Sequence, residues 1–163
     1  YTRSLHDALP IFTPPSEVTP PPREFVRRRV LAVDDEALLL KAYRRMLSDV
    51  HAVDTALGGG EALRSLERDA SYDVILCDLQ MPELSGMGLH EAVRARWPSL
   101  ADRFVFVTGG AFSPDAKRFL EESVCAVIQK PFRVEDLLAL IDRKARECGD
   151  ATNSTGLPAG LPS

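Results

Sequence analysis

"YDVILCDLQMP", residues 72–82, decides how this chain folds. Val74, Ile75, Leu76 and Cys77 run on without polar alternation, the pattern of a strand buried on both faces in a parallel sheet. Asp78 closes the run, and Pro82 stops regular structure soon afterwards. A carboxylate at the lip of a buried strand costs free energy unless a cation or a set of hydrogen-bond donors meets it. The stretch therefore poses two questions: what covers the strand, and what meets Asp78.

Outward from it, short apolar runs alternate with helical periodicity between Arg28 and Glu147. "RVLAVDD" (29–35) predicts a first strand, feeding a helix with Leu39, Leu40, Tyr43, Met46, Leu47 and Val50 at 3–4 spacing. "HAVDTA" (51–56) predicts a weaker second strand. "GGGEALRSLERD" (58–69) predicts a helix presenting Ala62, Leu63 and Leu66; it lacks the Lys-Ser/Thr of a phosphate loop and reads as a turn into that helix. After the third strand, "DVILCD" (73–78), a helix from about Gly86 to Arg96 buries Leu89, Ala92 and Val93 and stops before Pro98. "RFVFVTG" (103–109) is the fourth strand. "SPDAKRFLEE" (113–122) opens a helix with Ser113 as N-cap and Pro114 at the first helical position. "CAVIQ" (125–129) is the fifth strand, and "VEDLLALIDRKARE" (134–147) the last helix, with Val134, Leu137, Leu138 and Ile141 on one face. Five β–α units imply an α/β fold, a doubly wound five-stranded parallel sheet with five helices. Order 2-1-3-4-5 suits that count and opens a crevice at the carboxyl ends of strands one and three.

Composition narrows the class. Of 163 residues, 45% are hydrophobic and 27% charged, which is ordinary for one globular domain. A net charge of −4 argues against a nucleic-acid binder. No apolar run approaches the roughly 20 residues that span a bilayer, so no membrane contact is expected. Cys77, Cys125 and Cys148 lack the paired spacing of a zinc site or a disulfide framework, and a reducing cytoplasm suits them. Cys77 and Cys125 fall on strands that strand four separates, so they read as reduced core residues. Both ends differ from the middle: 13–27 reads as a Pro-rich linker and 148–163 as a disordered tail. "SLHDALPI" (4–11) resembles the translation of a sequencing adapter, so residues 1–12 are set aside and the natural chain is expected to continue upstream.

In a parallel sheet the strand ends share one edge. Asp34 and Asp35 end strand one, Asp78 strand three and Thr108 strand four, and Lys130-Pro131 follows strand five. Three carboxylates together repel and need a cation, and oxygen-only donors suit Mg²⁺. A lysine ammonium adds positive charge and could hold an anion such as a phosphoryl group. Thr108 offers a hydroxyl, and Gly109 and Gly110 leave the backbone approachable.

This set resembles the receiver domain of two-component response regulators. The matching pieces are "VDDE" (33–36), "CDLQMPELSG" (77–86), "VTGG" (107–110) and "KPF" (130–132), in the family's order and spacing. The resemblance covers residues 28–147 and implies a flavodoxin-like receiver fold. It implies that Asp78 is the phosphoacceptor and that Asp35 and Asp78 ligate Mg²⁺ with the backbone carbonyl of Gln80. Asp34 would support the metal through water, and Thr108 and Lys130 would contact the phosphoryl group across a cis Lys130–Pro131 bond. The donor would be a histidine kinase or a histidine phosphotransfer domain. The domain would then phosphorylate and dephosphorylate itself, without kinase activity of its own.

Individually these residues have plainer explanations: Asp35 as a helix N-cap, Asp78 as a turn cap, Lys130 as a solvated surface lysine. The four pieces in register favour the chemical role. His51 and His90 lie in no phosphotransfer context and read as surface residues. Three departures stand out. Val127 occupies the position where the family often carries Tyr or Phe, Arg133 stands where Asp or Ser often caps the last helix, and Gly110 removes a side chain that could orient attacking water. For the whole protein, the terminal receiver of a hybrid sensor histidine kinase is favoured over a stand-alone regulator that docks to a partner. An aspartyl-phosphate phosphatase of the haloacid-dehalogenase-like group would want Asp two residues after the nucleophile, where this chain has Gln80.

Overall fold

The computed structural model describes residues 26–110 and 113–153. Among them, strands β1 (Arg29–Asp34), β2 (Ala52–Leu57), β3 (Val74–Asp78), β4 (Phe104–Thr108) and β5 (Ala126–Gln129) alternate with helices. The helices are α1 (Ala37–Leu47), α2 (Gly58–Arg68), α3 (Gly86–Arg96), α4 (Pro98–Ala101), α5 (Pro114–Glu122) and α6 (Val134–Asn153). All strand pairs are parallel, and the order is β2-β1-β3-β4-β5, as the unit count predicts. The sequence predicts five helices; the sixth is α4, a single turn. Pro98 ends α3, but its fixed φ also suits the first position of a new turn. Ser113 caps α5 as expected, its hydroxyl accepting the Ala116 N–H at 3.2 Å.

The continuous apolar strands are explained by what covers them. Val30 and Ala32 of β1, Val74 and Leu76 of β3, and Val105 and Val107 of β4 pack against α1 and α6. Leu31 and Val33, Ile75 and Cys77, and Phe104 and Phe106 pack against the opposite layer, built from α2 to α5. A slip of one residue would exchange these two sets rather than expose either, so apolar burial alone fixes the register weakly. The polar ends fix it. Drawing Asp78 one residue inward would strand a carboxylate in the core, with an effective penalty of several kcal/mol.

Further expectations are corrected. His51 and His90 are not surface residues; they are 0% and 6% exposed. The His51 ring follows α1, where its Nδ1 accepts the Arg28 N–H at 3.3 Å. The His90 ring lies edge-on to Phe104 and Phe119, with centroids 5.0 and 5.3 Å away, and its Nε2 meets the Ala101 carbonyl oxygen at 3.2 Å. His90 rather than the half-buried Ala92 completes the α3 stripe of Leu89 and Val93. Cys77 is fully buried, whereas Cys125 stands just before β5 and is only half-buried; all three cysteines are free. Finally, α6 continues past Glu147 to Asn153, so helix occupies the start of the expected tail. Residues 1–12, the linker as far as residue 25, and the tail from 154 onward lie outside the described residues.

Candidate functional site

Adjacency of β1 and β3 sets Asp34 and Asp78 side by side at the carboxyl edge, with β4 and β5 next in line. The Lys130 N–H donates to the Thr108 carbonyl at 2.7 Å, which extends the β4–β5 ladder past Gln129 and aims Lys130 back across the edge. Its Nζ lies 3.2 Å from Asp78 Oδ1 and 3.7 Å from Asp34 Oδ2. At such separations each attraction is on the order of 4 kcal/mol in a protein-surface dielectric, and the two carboxylates repel by a similar scale. One ammonium between two carboxylates leaves the trio with a single net negative charge. The Lys130–Pro131 bond is cis.

The two carboxylates are held differently. Asp34 is 1% exposed; its Oδ1 accepts the Glu36 N–H at 2.9 Å, while buried Oδ2 has no hydrogen bond among the described residues. Burial pushes the Asp34 carboxyl above its ordinary range, opposed by the Glu36 N–H and by Lys130. Asp78 keeps one side open, with 11% of its side chain exposed, and its Oδ2 accepts the Gln80 N–H at 2.8 Å. One oxygen is thus fixed by backbone while the other faces the lysine.

The loop after β3 holds Asp78 from behind. Leu79 N–H donates to the Val107 carbonyl at 3.0 Å, and Gly86 N–H donates to the Leu79 carbonyl at 3.1 Å. A Cβ on Gly86 would overlap the Asp78 carbonyl oxygen and sit 3.0 Å from Leu79 Cα, so only glycine lets α3 begin this close to the phosphoacceptor candidate. The Ser85 hydroxyl caps α3 by accepting the Gly88 N–H at 3.2 Å. Reading the sequence misses this use of Gly86. The available signal was a glycine at the first helical position directly after a Ser cap, where helix propensity alone does not ask for one.

The structure brings together Asp34, Asp78, Lys130 and the Gln80 backbone. Two other candidates make different contacts. The Thr108 side chain is buried, and its hydroxyl accepts the Gly110 N–H at 3.1 Å, which turns it into its own loop. Asp35 is exposed and lines a cleft of about 290 Å³ with Gly58, Gly59, Pro82 and Leu84. Among the described residues, no three His, Cys, Asp or Glu side chains converge closely enough to hold a metal ion by themselves. A cleft of about 790 Å³ runs along α6 past Ile128, Leu140 and Arg143 and is lined by none of the strand-end candidates. No helix among the described residues is long and apolar enough to cross a membrane.

The chain is similar to known proteins. The response regulator receiver domain profile matches residues 30–142. Two-component system protein A of Emericella nidulans is 30% identical over 131 residues, covering 78% of this chain and 19% of its own length. The transcriptional regulatory protein GlrR of Escherichia coli is 31% identical over 125 residues, covering 76% of this chain and 28% of its own. The chain thus spans less than a third of the length of these curated relatives. Among solved structures, a CheY-like response regulator receiver domain protein of Methanospirillum hungatei superposes with a TM-score of 0.69 at 28% identity, covering 77% of this chain and 99% of that one. By sequence and by fold, this chain belongs to the response regulator receiver domain family of two-component signalling.

Proposed function

We propose that Asp78 accepts a phosphoryl group from a phosphohistidine on a kinase or phosphotransfer partner. The observation that carries the reading is the state of its carboxylate. Oδ2 is fixed by the Gln80 N–H and Oδ1 lies against Lys130, at a strand end that remains partly open. Attack by an Asp78 oxygen on phosphorus forms the acyl-phosphate bond; the P–N bond breaks, and its electron pair returns to the imidazole. Lys130 is placed to balance the charge that collects on the equatorial oxygens in transit. Thr108 would serve the same oxygens once its hydroxyl leaves the Gly110 N–H. Water attack on the acyl phosphate would later restore the carboxylate.

The donor set suits a divalent cation. The trio of Asp34, Asp78 and Lys130 keeps a net negative charge, and Asp34 Oδ2 is a buried oxygen without a hydrogen bond. Mg²⁺ needs only one or two carboxylates and keeps several waters, so the convergence of three acidic side chains is not required. Asp35, Asp78 and the Gln80 carbonyl would hold it, with Asp34 acting through water. When bound, the ion supplies Lewis-acid stabilisation of the transferring oxygens. The test is intact mass after incubation with Mg²⁺ and acetyl phosphate. We expect one phosphoryl adduct on the wild type and none on Asp78→Asn; an unmodified wild type, or an adduct that survives in Asp78→Asn, defeats the assignment.

For the parent protein we favour a hybrid histidine kinase in the cytoplasm, with this domain as its receiving module. Likeness to the hybrid signal transduction histidine kinase H of Dictyostelium discoideum, 28% identical over 131 residues that cover 74% of this chain and 9% of its own, supports that context. GlrR likeness supports the alternative of a separate regulator. Reading the gene upstream separates them: a kinase domain joined through the Pro-rich stretch supports the first, and a start codon near Arg23 removes it.

A further inference from the structure

Two polar atoms below the site, Asp34 Oδ2 and the Tyr43 hydroxyl, are shut off from solvent without a hydrogen-bond partner among the described residues. The residues are 1% and 3% exposed. One atom is an acceptor and the other a donor. Leaving either unmet incurs its full desolvation penalty, and native interiors seldom leave both.

The topology makes them neighbours. Val30 and Ala32 of β1 share a cluster with Tyr43 of α1, and Asp34 follows at the same parity of the strand. Helical side chains lean toward the N-terminus of their helix, so the phenol points from Tyr43 back toward the start of α1, where β1 ends. Burial pushes the Tyr43 phenol pKa up, and the negative charge of Asp34 adds to that, ahead of Asp78 and Glu36. Lys130 Nζ stands 3.7 Å from the same Asp34 oxygen. The phenol offers a donor and the carboxylate an acceptor, and one buried water between them would meet both.

We propose that Tyr43 is a positioning residue for the site, its hydroxyl donating through a single buried water to Asp34 Oδ2. Asp34 is then held at both ends, by the Glu36 N–H on Oδ1 and by the Tyr43 link on Oδ2. The inference rests on the phosphoacceptor reading, because it makes Tyr43 matter to cation binding at that site.

Tyr43→Phe keeps the ring and removes only the hydroxyl. We expect three results on the full chain. Unfolding in urea without Mg²⁺ shows a folded-to-unfolded ratio about fivefold lower. Mg²⁺ binding by calorimetry weakens about fivefold, as expected for a loosened carboxylate. The Glu36 amide resonance, which reports the Asp34 Oδ1 bond, shifts. Tyr72→Phe is the control: its hydroxyl meets Asp54 Oδ2 at 3.0 Å, so its loss lowers stability and leaves Mg²⁺ affinity and the Glu36 resonance in place. A truly orphaned Tyr43 hydroxyl predicts the opposite, a more stable Phe variant with an unmoved Glu36 resonance, and that result overturns the proposal. Failure of the wild type to bind Mg²⁺ removes the cation reading instead, while stability and the Glu36 resonance still judge the Tyr43 link.

Discussion

Alanine at Gly86 puts a methyl group where α3 meets the Asp78 backbone. The added Cβ would overlap the Asp78 carbonyl oxygen and stand 3.0 Å from Leu79 Cα, both backbone atoms that cannot rotate away. Relief requires α3 to back off or the strand end to bend, which stretches the 3.1 Å bond from Gly86 N–H to the Leu79 carbonyl. Overpacking of this kind costs about 2–3 kcal/mol. In a domain of this size that lowers Tm by roughly 8–12 °C. Two other helical glycines calibrate the number. A Cβ on Gly60 meets nothing closer than Arg64 Nη1 at 3.8 Å, so Gly60→Ala should gain about 0.5 kcal/mol from helix propensity. A Cβ on Gly88 meets the flexible end of Leu84 at 2.9 Å, so gain and repacking cost should cancel to within about 0.5 kcal/mol. Thermal unfolding ranks the three, and acetyl phosphate labelling followed by mass shows whether Gly86→Ala also slows acceptance at Asp78. A Gly86→Ala variant as stable as Gly60→Ala, with labelling intact, would refute the claim that this close approach positions the carboxylate.

Replacing Lys130 by Met leaves Asp34 and Asp78 facing each other without their ammonium at 3.7 and 3.2 Å. Stability without Mg²⁺ should fall by about 2 kcal/mol, and added Mg²⁺ should raise Tm more than in the wild type; equal Mg²⁺ responses would contradict the charge argument. Glu83 holds a positive φ of 64°. Glycine there removes left-handed strain of about 1–2 kcal/mol but loosens the unfolded chain, for a net gain of up to about 1 kcal/mol by urea titration; a loss would show that the Glu83 side chain matters. Burial lowers both His51 and His90 from the ordinary 6.5. Just below pH 6.5 the unfolded chain therefore binds more protons than the folded one, and stability drops as pH falls from 7.5 to 5.5. His90→Gln should flatten part of that slope, and a wild-type stability that is flat or rising toward pH 5.5 would argue against buried neutral histidines.

The strands were legible because each inner one is apolar on both faces, and Asp34, Asp78 and Lys130 were legible because parallel strands deliver their ends to one edge. Side-chain direction was not. Nothing in "VTGG" says that the Thr108 hydroxyl accepts the Gly110 N–H rather than facing Asp78, since a one-residue loop torsion decides it. His90 was misplaced because a polar letter in an amphipathic stripe reads as surface, whereas its ring is flat enough to lie among Phe104, Phe106 and Phe119. In the sequence Pro98 signals only a stop, although it also opens the single turn of α4. Gly149 and the polar letters around it disguised the end of α6, where Cys148 Sγ donates to the Asp102 carbonyl at 3.4 Å.

The lysine wedged between two carboxylates also sets an order of arrival. Asp34 and Asp78 contribute two negative charges and Lys130 one positive, so the empty trio repels an incoming phosphoryl dianion. Asp35, which would also hold the cation, adds a third negative charge, so a divalent cation would bring the sum from minus two to zero and remove that repulsion. On the proposed function, loading would therefore be sequential by electrostatics, cation before phosphoryl. At limiting Mg²⁺ the rate of acceptance should follow cation occupancy rather than donor concentration.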